Sequence, residues 1–113
     1  MECIYKIMAA TEWATAQAAG VYNGSEHDRR DGFIHFSTAG QAAETAAKYF
    51  ANQPDLVLLS IDPGLLGAAL TWEPSRGGAL FPHLYAPLPI AAVVAVNELP
   101  LKADGRHGFP PLL

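Results

Sequence analysis

The stretch Phe33-Ile34-His35-Phe36-Ser37, running on into TAGQAAETAAKYF at residues 38–50, decides the fold class, because its hydrophobic period changes within a few residues. The first five residues alternate as a strand does, with Phe33, His35 and Ser37 on one side and Ile34 and Phe36 on the other. From Thr38 onward, Ala39, Ala42, Ala43, Ala46, Ala47 and Phe50 recur at three- and four-residue steps and build one apolar helical face. Thr38 and Gln41 have capping-box spacing, and Glu44 with Lys48 supports the wet side. A strand therefore leads directly into a helix.

Working outward toward the N-terminus, residues 21–32 carry Gly24, Gly32, Asn23, Ser25 and five charged side chains with little periodicity, which reads as a mobile surface loop and a candidate lid. Before it, Thr11 to Gly20 reads as an alanine-rich helix capped by Thr11 and stopped by Gly20. Cys3 to Met8 reads as a strand with Ile4, Lys6 and Met8 on one face and Tyr5 and Ile7 on the other. Toward the C-terminus, Leu56 to Ile61 is a continuous apolar run of strand length, expected to be buried on both faces and closed by Asp62-Pro63-Gly64, after which Leu65 to Gly67 suits one helical turn. Leu70 to Glu73 alternates, which points Trp72 inward and Glu73 toward an open face, and Pro74 to Gly78 forms a turn carrying Arg76. Leu80 to Leu88 is extended because Pro82, Pro87 and Pro89 exclude a helix, and Ala91 to Leu99 is the last strand. This order predicts an α+β domain over residues 1–113, with a mixed sheet packed by two helices.

A chain of 113 residues is one domain, long enough to bury roughly 65% of its surface without a disulfide or metal staple. Seven Lys and Arg against eleven Asp and Glu, scattered along the chain, disfavour a nucleic-acid backbone as partner. The single Cys3 has no intramolecular disulfide partner and fits a reducing compartment. No basic segment followed by an apolar run opens the sequence, and the most apolar stretch, Leu80 to Val96, is broken by prolines and His83, so neither secretion nor a membrane span is expected. The expected location is cytoplasmic.

Several residues are candidates for chemistry. His35 and Ser37 share one side of a strand just before a helix N-terminus, where the backbone N–H groups of Ala39 to Gln41 suit an anion; equally, Ser37 caps the helix and His35 is a core imidazole. Phe81, His83 and Tyr85 form an aromatic wall with an imidazole, suited to a flat heterocycle or a sugar, or else they are core residues. Glu73 is a candidate general base or ribose contact, and Lys6 lies either on a solvated face or on a pocket wall. His27, His35, His83 and His107 show no recognised ligand spacing, so no metal is expected. Ser37 lacks the glycine-flanked turn of a hydrolase nucleophile, and no phosphate-cradling glycine signature is present.

Taken as a set, Ile4-Tyr5-Lys6-Ile7, Trp13, Tyr22, Gly32-Phe33-Ile34-His35-Phe36-Ser37, Gln41, Leu58-Leu59-Ser60-Ile61-Asp62, Trp72-Glu73 and Phe81-Pro82-His83-Leu84-Tyr85 resemble the bacterial family called domain of unknown function 952. The resemblance covers nearly the whole chain. It implies a curved α+β sheet similar to the ADP-ribosyltransferase-like folds, a group that includes NAD-dependent toxins and RNA 2′-phosphotransferases. By that likeness Glu73 and His35 are the expected catalytic residues, with Lys6, Ser37, His83, Tyr85 and Tyr22 as ligand contacts and an NAD-like molecule as cofactor or substrate. Many family members carry His where Lys6 stands, and an ammonium lacks the planar donor and acceptor geometry of an imidazole. Two functions are thus expected: a transglycosylase-type enzyme acting on a nucleotide or other phosphorylated small ligand, or a noncatalytic module that binds a metabolite or a protein.

Overall fold

The run Leu56–Ile61 is the middle strand, here β4, of a three-stranded antiparallel sheet, and all six of its residues are buried. Its partners are β1, Ile4–Ala9, and β8, Val93–Leu99. These elements belong to a computed structural model that describes residues 2–112. Alternation along β4 divides the interior into two cores. Val57, Leu59 and Ile61 join Ile4, Met8, Trp13 and Tyr22 on one face, while Leu56 and Leu58 join Tyr5, Ile7 and Ala46 on the other. An apolar run without a polar face is the pattern of a strand covered on both sides. Lys6 pairs with Leu59 in the register and therefore faces the first core.

A second antiparallel sheet combines β3, Ile34–His35, β6, Leu80–Leu84, and β5, Leu70–Pro74, with β6 in the middle. A two-residue ladder joins β2, Val21–Tyr22, to β7, Leu88–Pro89. The two larger sheets are sewn together by reciprocal backbone bonds between Tyr5 and Ser37, at 2.8 and 2.9 Å. Among the described residues there are three α-helices: α1, Ala10–Ala19; α2, Glu26–Asp31; and α3, Ala39–Tyr49. Short 3-10 turns precede β5 at Pro63–Leu65 and Gly67–Ala69, and another precedes β8 at Ile90–Ala92.

The α+β class is as expected, but the sheet is not mixed: every ladder among the described residues is antiparallel. Parallel pairing needs a crossover within one sheet, and α3 instead joins β3 to β4 in a different sheet. The helix count also rises from two to three, because part of the expected loop at residues 21–32 is β2 and α2. Helix α2, EHDRRD, has no apolar stripe to announce it. Its ends hold it: the Ser25 hydroxyl accepts from the Asp28 N–H, the Asp28 carboxylate accepts from the Ser25 N–H, and Gly32 closes it at φ 87°. Trp72, expected inside, is 46% exposed, since β5 is the outer strand of its sheet and has a neighbour on one side only. Helix α1 begins at Ala10, with Ala9 as its N-cap and Thr11 already inside the first turn. Among the described residues no helix is long and apolar enough to cross a membrane.

Candidate functional site

Antiparallel pairing of β3 with β6 sets Ile34 opposite Leu84 and His35 opposite His83. Residues directly opposite in such a ladder share one face, with Cβ atoms about 4.5–5.5 Å apart. The two imidazole rings consequently meet edge to face with centroids 5.5 Å apart. Phe33, two residues before His35 and so on the same face, stacks on His83 at 4.0 Å. The next strand supplies the acid. Thr71 pairs with His83 and Glu73 with Phe81, which sets Glu73 diagonal to His83 on the shared face. The His83 ring nitrogen Nδ1 lies 2.8 Å from Glu73 Oε1, and the Tyr85 hydroxyl donates to the same oxygen at 2.7 Å. Hydrogen bonds from Tyr85 and from His83 hold the Glu73 carboxyl below the usual Glu range, and the same contact pushes the Tyr85 phenol up.

A second carboxylate, Asp28 of α2, organises His35. Its oxygens take the Lys6 ammonium at 2.8 and 3.1 Å, the Ser25 N–H at 2.9 Å, the His35 N–H at 3.1 Å and the His35 Nδ1 at 2.6 Å. Burial by itself would raise the Asp28 carboxyl, but the hydrogen bond from His35 and the Lys6 ammonium outweigh it and hold Asp28 well below the carboxylate range. Gly24 makes this approach possible: its φ is +99°, and a Cβ there would sit 2.9 Å from the Asp28 Cβ.

Both imidazoles and Asp28 stand on the wall of a cleft of about 940 Å³, lined among others by Lys6, Tyr22, His35, Ser37, Arg76 and His83. Not every expected contact reaches it freely. Lys6 donates to both Asp28 oxygens and, at 2.8 Å, to the His35 carbonyl, so the three donors of its ammonium are taken within the protein. Ser37 is buried and exchanges a hydrogen bond with the Thr45 hydroxyl at 3.0 Å; the helix N-cap is Thr38 instead. Residues 38–41 do not line the cleft, so the start of α3 is no anion site within it. Tyr22 does line it, its hydroxyl donating to Glu12 at 3.2 Å. Glu73 and Tyr85 are not cleft-lining residues, and Tyr85 borders a smaller hollow of about 320 Å³ with Phe33. His107 is buried apart from the cleft and bonds the Gln53 carbonyl at 2.7 Å.

Three residues at the site carry no sequence signal of a functional role. Asp28 was hidden in a charged segment, and only the Ser25-to-Asp28 spacing hinted at a cap. Phe33 shares the His35 face by alternation, but an apolar ring at that position carries no mark of its stacking on His83. Arg76 comes from the turn after β5, where Glu44 at 2.9 Å and Thr45 at 3.2 Å hold its guanidinium over the Phe81 ring. With Arg29 it lines the cleft as a cation in place of the consumed Lys6.

Solved structures of one protein resemble this chain closely. The crystal structure of protein CC0527 from Caulobacter crescentus matches with TM-score 0.91 and 51% identity over 94% of this chain and 93% of that one. The solution structure of CC0527 matches with TM-score 0.84 and 52% identity over 94% and 91%. Among curated proteins none matches at a significant level. Residues 7–96 match the family described as "Protein of unknown function (DUF952)", and with its paired strands, its FIHFS and FPHLY segments and this coverage, the chain belongs to that family.

Proposed function

We propose that the cleft binds a nucleotide or another phosphorylated small molecule and that His83 transfers a proton on it. The observation that carries this reading is the pair of carboxylate-held imidazoles facing each other across the β3–β6 ladder on one cleft wall. Glu73 accepting from Nδ1–H selects the tautomer whose Nε2 lone pair is free, the form in which an imidazole acts as a general base. Phe33 stacked on the ring fixes its plane, so the base does not have to be ordered when a ligand arrives. Arg76 supplies the positive charge a phosphate requires, and Tyr5, Tyr22 and Phe81 give the cleft apolar wall for a base or sugar. The cleft volume suits a ligand of nucleotide size.

The resemblance to ADP-ribosyltransferase-like folds makes NAD and ADP-ribose the first ligands to try and transglycosylation the first reaction. In that reaction Glu73 acts through His83, since its Oε1 is already taken by His83 and Tyr85 and it lies off the cleft wall. The test is calorimetry and ligand-observed NMR with NAD, ADP-ribose and nucleoside phosphates, followed by assay of any ligand that binds. Binding should weaken on Arg76→Ala, and turnover should fall about 10²- to 10⁴-fold on His83→Gln. A bound ligand that is never turned over would favour the noncatalytic module. Silence toward the whole panel would overturn the reading.

A further inference from the structure

We propose that His27 Nε2, Asp31 Oδ2 and His35 Nε2 form a binding site for a divalent transition-metal ion of the zinc, cobalt or nickel class at the mouth of the cleft. His27 and Asp31 stand one turn apart on α2, and the ligand atoms of His27, Asp31 and His35 all lie within 4.8 Å of one another. Asp31 Oδ2 is 3.0 Å from His35 Nε2 and 3.5 Å from His27 Nε2. Ligand atoms around one tetrahedral ion, with bonds of about 2.0–2.2 Å, are separated by about 3.4 Å, so these spacings need little adjustment.

The hydrogen bonding of His35 gives the independent reason. Both of its ring nitrogens face carboxylate oxygens, Nδ1 at Asp28 and Nε2 at Asp31. Carboxylates only accept, and a neutral imidazole has one donor. Two arrangements satisfy both carboxylates: an imidazolium that donates from both nitrogens, or an imidazole that keeps Nδ1–H on Asp28 and shares a cation with Asp31 through its Nε2 lone pair. A metal ion there takes the place of the second proton and makes two coordinate bonds, one to Nε2 and one to Asp31 Oδ2. The Asp28 carboxylate behind Nδ1, buried and fixed by Lys6, is then the outer acid that orients a ligating imidazole and raises its basicity. Two imidazoles and one carboxylate favour a borderline transition metal over magnesium or calcium and leave a coordination position open. His27 and His35 both line the cleft, so a cleft ligand can reach that position. One contact must yield: the Arg30 guanidinium now donates to His27 Nδ1, and it leaves as the His27 proton moves from Nε2 to Nδ1. Arg30 has 69% of its side chain exposed and is free to swing into water.

The inference is independent of the cleft ligand and is tested without one. Tag-free protein, stripped with a chelator, is titrated with Zn²⁺ by calorimetry and with Co²⁺ by visible absorption at neutral pH. One equivalent should bind, with the intense ligand-field bands of four-coordinate Co²⁺. His27→Ala and Asp31→Asn, both at exposed positions that bear little on the fold, should each weaken binding about tenfold or more, whereas His83→Gln should bind as the parent does. No binding to the parent, binding unchanged in both His27→Ala and Asp31→Asn, or loss confined to His83→Gln would each overturn the site. None of these outcomes touches the nucleotide panel, whose failure in turn leaves the metal titration standing.

Discussion

Asp28→Asn removes one charge and almost no volume, yet it should be among the most damaging single substitutions in the chain. Lys6 is buried in the core beside Leu59 and Met8, and among the described residues Asp28 is its only anionic partner at salt-bridge distance. With an amide in place of the carboxylate, the ammonium keeps only uncharged acceptors, the His35 carbonyl and at most the amide oxygen, and the amide NH₂ confronts a donor from Lys6, Ser25 or His35. Breaking a buried pair from one side costs about 3–5 kcal/mol. For 113 residues the unfolding entropy is about 0.24 kcal/mol/K, so each kcal/mol lowers Tm by about 4 °C and the variant should melt about 12–20 °C below the parent. The companion variants are Lys6→Met and the double Lys6→Met/Asp28→Asn. The double substitution leaves no uncompensated ion and should regain at least half of the loss, a coupling readable from thermal unfolding followed by circular dichroism. A Tm drop under about 4 °C for Asp28→Asn, or strictly additive single effects, would refute the reasoning. It would mean that the Lys6 ammonium is solvated and available to a ligand, the role that the family resemblance implies.

The remaining predictions concern backbone, packing and pH. Gly24→Ala should cost about 1–3 kcal/mol and disturb the His35 NMR signals, because the new methyl meets the Asp28 Cβ; Gly32→Ala, also at positive φ but facing open space, should cost less, and equal costs would remove the close-approach argument. Leu58→Ala, at a fully buried position in the middle of β4, should lose about 2–5 kcal/mol in urea unfolding, with a smaller loss if the second core collapses around it. Glu73 has its folded pKa depressed from an ordinary value near 4.5, so the unfolded chain binds its proton first as pH falls. Its contribution is fully present above that value and is lost as pH drops through the folded pKa. The stability difference between parent and Glu73→Gln should therefore shrink with acidification below about pH 4.5, and a difference independent of pH would show that the carboxylate charge is irrelevant.

The sequence by itself determined the elements whose stabilising pattern is local. The continuous apolar run Leu56–Ile61, the three- and four-residue recurrence after Thr38, and the stop at Gly20 each report burial or capping within a few residues, and each appears where it was read. Strand alternation likewise assigns Phe33 and His35 to one face, as the ring contacts of both with His83 bear out. Helix α2 escaped notice because caps and a single buried carboxylate hold it in place of an apolar stripe. Only the tertiary structure decided that His35 and His83 are register partners, since strand pairing is a choice among all strands and not a property of either. Only it joined Lys6 to Asp28 across 22 residues and to the His35 carbonyl across 29. Such contacts are selected by the desolvation cost of leaving an ion unpaired in a closed core, a cost that exists only after the chain has folded around it.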